Sequence, residues 1–179
     1  MDSRLSRVLA VFDQALGSRF KTKLIGGFPE PEYIPASPER YAEIHFRENF
    51  TSSALHEAAH WCIAGPERRE LHDFGYWYYP EGRTAVQQLE FERAEVRPQA
   101  IEWILSIACG QKFHLSRDNH GPHGQQVDFD FSAAVSKQAQ EFCFGQLPAR
   151  AAIFATALAL EFGNPQYVNA DNYRLELVS

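Results

Sequence analysis

His56-Glu57-Ala58-Ala59-His60 is the stretch on which the reading of this chain turns. On an α-helix, side chains at i and i+4 lie one above the other, so two imidazoles at that spacing can grip one metal ion. His-Glu-x-x-His is a known metal-binding spelling, in which the histidines ligate and the intervening Glu can move protons. The flanking residues predict the helix that this reading needs. Asn49, Thr51 and Ser52 offer N-cap oxygens, Ala54, Leu55, Ala58, Ala59 and Ile63 suit a helix, and Gly65-Pro66 closes it, giving a helix over 49–64. The competing reading is a pair of hydrogen-bonded core histidines.

Working outward, residues 1–17 show helical spacing of Leu5, Val8, Leu9, Phe12 and Leu16 among charged residues, unlike the continuous apolar core of a signal peptide. Residues 23–25 and 41–46 read as short strands, and the stretch between them, with Pro29, Pro31, Pro35 and Pro38, reads as a loop. Residues 67–80 run from a charged start into the rings of Phe74, Tyr76, Trp77, Tyr78 and Tyr79, an expected strand or extended loop. Residues 84–108 have a helical pattern interrupted by Pro98, which predicts two helices or one kinked helix closed by Gly110. A polar loop over 114–126 and helices over 128–144 and 148–162 complete the chain. The count predicts a mainly helical α+β fold with a small sheet, and with no linker or repeat, residues 1–179 read as a single domain.

At 179 residues, 45% of them hydrophobic, the chain is long enough for one packed core. A net charge of −6 and no Lys/Arg-dense face argue against nucleic acid as a partner and favour a basic or amine-bearing one. Cys62, Cys109 and Cys143 are odd in number and widely spaced, so neither a disulfide framework nor a thiolate zinc site is expected, and reduced thiols in the cytoplasm fit. No apolar run reaches the length of a membrane span, so no membrane association is expected.

A catalytic metal usually takes three protein ligands and leaves positions open, so His56 and His60 need a partner. Downstream, Phe91 and Ala94 mark a buried helix face beside Glu95 and Glu92, and the preference is for Glu95, then Glu92. Either could instead belong to a solvated helix face. Glu57 projects about a third of a turn from each His. It would be the general base of a metal hydrolase, or would orient a ligand or pass a proton in an oxygenase. None of the seven His is followed two positions later by Asp or Glu, so an oxygenase here would have to build its ligand set on helices.

Several stretches together are similar to the bacterial elongation factor P hydroxylase family. They are Ser53-Ala54-Leu55-His56-Glu57, His60-Trp61-Cys62-Ile63-Ala64-Gly65, Arg68-Arg69-Glu70-Leu71, Asp73-Phe74-Gly75-Tyr76-Trp77-Tyr78, and Glu95-Val96-Arg97-Pro98-Gln99-Ala100 with Trp103. The resemblance runs roughly from Phe20 to Pro148, and the tail after Phe162 does not obviously share it. It implies a fold like that of small His-Glu-x-x-His metalloproteins and hydroxylation of the β-lysylated lysine of elongation factor P. It implies Fe(II) on His56, His60 and Glu95, with zinc or another divalent metal as the alternative occupant and dioxygen as co-substrate.

A β-lysyl-lysine side chain is long and cationic. Phe74, Tyr76, Trp77 and Tyr78 could line its methylenes, with Glu70 or Asp73 as counter-charge, unless those rings are a buried strand supporting the helix. His114, His120 and His123 in the polar loop are expected to be solvated. The rival readings are a zinc peptidase with Glu57 as base, and a non-catalytic module whose metal only staples helices together.

Overall fold

The computed structural model describes residues 3–73, 84–116 and 129–177. Helix α1 (Ser3–Phe12) buries Leu5, Val8, Val11 and Phe12 along one stripe, as its apolar spacing predicts. It continues through a wider turn, Asp13–Gly17, into α2 (Ser18–Phe20), where Lys21 takes a left-handed conformation and turns the chain into the sheet. The sheet has three strands, β1 (Thr22–Phe28), β2 (Glu32–Ile34) and β3 (Ala42–Arg47), in the order β1-β3-β2. Strand β3 is parallel to β1 and antiparallel to β2.

Strand β2 corrects the expectation of a plain loop between the first two strands. It lies at the sheet edge with Pro31 and Pro35 just outside it, where a missing N–H costs no ladder bond. Its outer side is pinned at one point, where Tyr33 N donates to Asp73 O (2.6 Å) and Asp73 N to Tyr33 O (3.0 Å). In β1, the register shifts between Ile25 and Phe28, and a Cβ on Gly26 would lie 2.4 Å from the Phe46 ring. Only glycine fits under that ring.

Helix α3 (Thr51–Ile63) carries the His pair. No side chain caps its start: Phe50 is the N-cap, and the Thr51 hydroxyl is buried without a partner. The caps expected at Asn49, Thr51 and Ser52 are not used, and it is the Ser53 hydroxyl, accepting from Arg47 N (3.0 Å), that ties the first turn to β3. Helix α4 (Ala85–Ala108) begins with a capping box between Thr84 and Gln87 and runs unbroken through Pro98. Of the two expectations, two helices or one kinked helix, the first is not met: one helix spans Pro98, with Ala100, Ile101, Trp103, Ile104, Leu105 and Ala108 all buried, and that burial outweighs one lost backbone bond. Gly110, left-handed, closes it.

Helix α5 (Phe131–Glu141) is capped by Asp130, ends in a wider turn at left-handed Gly145, and leads into α6 (Ala149–Phe162). Helix α3 packs against β3 on one side and α4 on the other, with α6 across its end. There Arg150 Nη2 donates to the carbonyls of Trp61 (2.8 Å) and Cys62 (3.2 Å) and to that of Ala64. These are the carbonyls that a helix C-terminus leaves unpaired. The chain after α6 is not a loose tail. Tyr173 is fully buried, edge-on to Trp103 at 5.4 Å, and its carbonyl accepts from Ser136 Oγ (2.6 Å).

The fold is thus mainly helical with a small three-stranded sheet. All three cysteines are free, and burial pushes the thiols of Cys62 up to about 12 and of Cys109 up to about 11. Among the described residues no single helix is long and apolar enough to cross a membrane.

Candidate metal centre

The i, i+4 register of α3 brings His56 Nε2 and His60 Nε2 to 3.0 Å, with the rings inclined at 72°. Helix α4 faces them with Glu95, which is 5% exposed. Its Oε1 lies 3.3 Å from His60 Nε2 and its Oε2 lies 3.7 Å from His56 Nε2. One donor atom from each of the three residues falls within 4.8 Å of the others. A single cation could sit among them, which makes His56, His60 and Glu95 a candidate metal-binding triad. Glu92, the alternative third ligand, is half-buried one turn earlier, accepts from Gln88 Nε2 (3.2 Å), and is not part of this group.

Glu102 was not foreseen. His56 Nδ1–H donates to its Oε2 at 2.7 Å, which fixes the ring and aims Nε2 at His60 and Glu95. A ligating imidazole usually donates its other N–H to a carboxylate in this way. Gln99 supports the opposite side: its amide donates to Glu95 Oε2 (3.4 Å) and Ser116 O (2.7 Å), while Ser116 N donates to Gln99 Oε1 (3.1 Å). Glu95, Gln99, Glu102 and Ser106 are all buried, and their i, i+4, i+7, i+11 spacing is one continuous stripe of α4. That polar stripe was visible in the sequence.

The charges are strongly coupled. Burial works to keep His56 neutral, but the Glu102 carboxylate at its Nδ1, with Glu95 and Glu57 nearby, raises it to about 10. Burial likewise opposes ionisation of Glu95, but hydrogen bonding and charge from His60 and His56 hold it down at about 2. Glu57 goes the other way: its burial, aided by the charges of Glu95 and Glu102, raises it above the ordinary carboxylate range despite both histidines. A carboxyl raised by burial in this way keeps its proton to higher pH than an ordinary one does.

A pocket opens beside the pair, with Glu57 and His60 in its wall and Tyr33, Ile44 and Trp61 as its apolar sides. Glu32, Arg68, Arg69 and Asp73 complete it. Asp73 is held by Arg68 (2.6 Å), and Glu32 accepts from His72 Nε2 (2.7 Å). Of the two carboxylates expected as counter-charge, Asp73 lines this pocket, whereas Glu70 is exposed and lies outside it. Tyr76 and Trp77, with Phe74 and Tyr78, fall outside the described residues, as do His120 and His123, while His114 is exposed. Glu32 and Tyr33 were missed because β2 was taken for loop, so nothing placed it beside α3.

Known proteins match this chain over most of its length. The family described as elongation factor P hydroxylase matches residues 11–173. The chain is 42% identical over 171 residues to the elongation factor P lysine hydroxylase of Haemophilus influenzae, covering 94% of this chain and 95% of that relative. The match begins within α1 and ends at the buried Tyr173, wider than the stretch from Phe20 to Pro148. This chain belongs to the elongation factor P hydroxylase family.

Proposed function

We propose that this enzyme hydroxylates the lysine of elongation factor P that carries a β-lysyl group, with Fe(II) held by His56, His60 and Glu95. The observation that carries the proposal is the convergence of these three donors on one point in a chain of this family. The residues fit the ion. Two imidazoles and one carboxylate on two helices are the donor set of a non-haem iron centre with open positions, and the Glu102 hydrogen bond leaves His56 Nε2 as the ligating atom. A His-Glu-x-x-His helix backed by a small sheet is also the arrangement of small metalloproteins, a kinship we propose with it. The site of action is the cytoplasm, where the factor works.

Iron held by these residues would supply activation of dioxygen for insertion of one oxygen atom into a substrate C–H bond, with the other released as water at the expense of two protons and two electrons from an external reductant. The chain's own residues do the rest. Glu102 keeps His56 oriented, and Gln99 does the same for Glu95. Glu57, raised above the usual range, holds or hands on a proton at its carboxyl in the pocket wall. Tyr33, Ile44 and Trp61 exclude water around the substrate methylenes. Asp73 offers negative charge to the ammonium groups from within the pocket and Glu70 from outside it, and the rings of Tyr76 and Trp77, outside the described residues, are assigned to the same cationic side chain from the sequence alone.

The alternative zinc peptidase would use the same triad with Glu57 as base, but the family match favours the hydroxylase. The test supplies isotopically labelled dioxygen to the iron-loaded enzyme with β-lysylated factor or factor lacking the β-lysyl group. Labelled oxygen should appear in the β-lysylated factor alone. Label from water, or cleavage of the factor, would favour a hydrolase.

A further inference from the structure

We infer that residues 65–72 form a preset lip beside the pocket on which the body of elongation factor P docks, with Leu71 as the apolar contact. The inference rests on the reading that the target lysine enters this pocket from a folded protein, and extends it to the surface that receives that protein. The lip leaves the pocket wall at Ala64 and returns to it at Asp73, both of which line the pocket. Between them every residue is exposed except Arg69, which is half-buried. A segment that buries so little is ordinarily loose. This one is held by polar contacts along its length. Arg69 N donates to Gly65 O (3.2 Å) and Leu71 N to Arg68 O (3.2 Å). Arg69 O accepts from the Tyr33 hydroxyl (2.9 Å), Arg68 pairs with Asp73 (2.6 Å), and His72 Nε2–H donates to Glu32 (2.7 Å). The far root is fixed by both backbone bonds between Asp73 and Tyr33.

Exposed loops fixed by a scaffold are where binding residues concentrate, because a loop ordered beforehand loses little freedom on association. Leu71 gives only its backbone N–H to the contacts that hold the lip, and its side chain is part of a residue 62% exposed. One exposed leucine is ordinary by itself, and Leu160 on α6 is 81% exposed. Place sets Leu71 apart. Arg69 and Asp73, two residues to either side of it, both line the pocket that holds His60 and Glu57. A folded protein that puts a side chain into that pocket must cover the lip between them, and Leu71 is the apolar side chain it meets there. A small free substrate would leave the lip in water. The partner is therefore the body of the protein substrate, the factor named for the family and for the Haemophilus influenzae relative.

The experiment measures steady-state kinetics of the full-length, iron-loaded enzyme on β-lysylated elongation factor P, for the unaltered enzyme, Leu71→Asp and Leu160→Asp. Leu71→Asp should raise KM about tenfold with kcat kept, the size expected for losing one buried leucine contact. Leu160→Asp should leave both constants as they are. An unchanged KM in Leu71→Asp, or a loss confined to kcat, would overturn the inference. A second measurement needs no turnover. The zinc-loaded protein with Leu71→p-benzoylphenylalanine, irradiated with purified β-lysylated factor, should cross-link to it near the target lysine, and Leu160→p-benzoylphenylalanine should not. Cross-linking from neither position, or equally from both, would also overturn the inference. If the unaltered enzyme adds no oxygen to the factor while the Leu71 cross-link forms, the proposed reaction falls and the docking surface stands.

Discussion

Glu102 shows most plainly how a residue acts through another. It touches neither pocket nor candidate ion, but its carboxylate holds His56 Nδ1 and so sets the direction of Nε2. Glu102→Gln should lower metal affinity about 10–100-fold, as loss of such a partner does elsewhere, read by competition with a coloured chelator. Unchanged affinity would mean that His56 needs no orienting. The thiols give a second test at this scale. Burial raises Cys62 to about 12 and Cys109 to about 11, so both remain protonated at pH 8 and should resist iodoacetamide until the protein unfolds. Rapid alkylation of either in the folded protein would contradict that burial. The His pair was legible because helical register alone brings i and i+4 together. The choice between Glu95 and Glu92 was not, because it depends on how α4 is rotated against α3. Glu102 could have been found by asking which polar residues repeat along one stripe of α4.

At the scale of elements, the helix bearing the His pair depends on a residue distant in sequence. Helix α3 has no side-chain cap at its start, and its end is held by Arg150 of α6, whose guanidinium also lies 4.7 Å over the Trp61 ring. Arg150→Met keeps much of the apolar stem but strands the carbonyls it serves. It should cost about 1–3 kcal/mol, the range for buried polar groups left unpaired, seen as a lower midpoint in urea. An unshifted midpoint would show that water replaces the guanidinium. Local sequence identified α3 and α6 as helices but not their union, since a cap supplied from another helix leaves no local trace. The same limit explains β2: prolines at its flanks obeyed the rule for edge strands, and only its pairing with β3 and Asp73 reveals the strand. At Pro98 the local rule left two helices or one kinked helix open, and tertiary burial keeps the segment a single helix.

For the molecule as a whole, the tail is what ties α4, α5 and the last turns together. Tyr173 stacks edge-on to Trp103 of α4, its carbonyl accepts from Ser136 of α5, and its hydroxyl donates to Tyr167 O. Tyr173→Ala should destabilise by about 3–5 kcal/mol, the cost of emptying a large buried aromatic site, whereas Tyr173→Phe should cost about 1 kcal/mol for one hydrogen bond. Thermal melts of both would check the pair, and equal losses would contradict the packing account. A lone Tyr among polar residues gave little reason to expect burial, which is why the tail looked unrelated. The mainly helical class with a small sheet was legible, because it follows from periodicity and proline placement along the chain. The central claim is that His56, His60 and Glu95 form the metal centre that hydroxylates the factor. Its most direct test is the intact mass of β-lysylated elongation factor P after incubation in air with the iron-loaded enzyme and with His60→Ala and Glu95→Gln variants. A gain of one oxygen atom with the unaltered enzyme, lost in both variants together with their bound iron, is the predicted result. A gain that persists without the triad would contradict it.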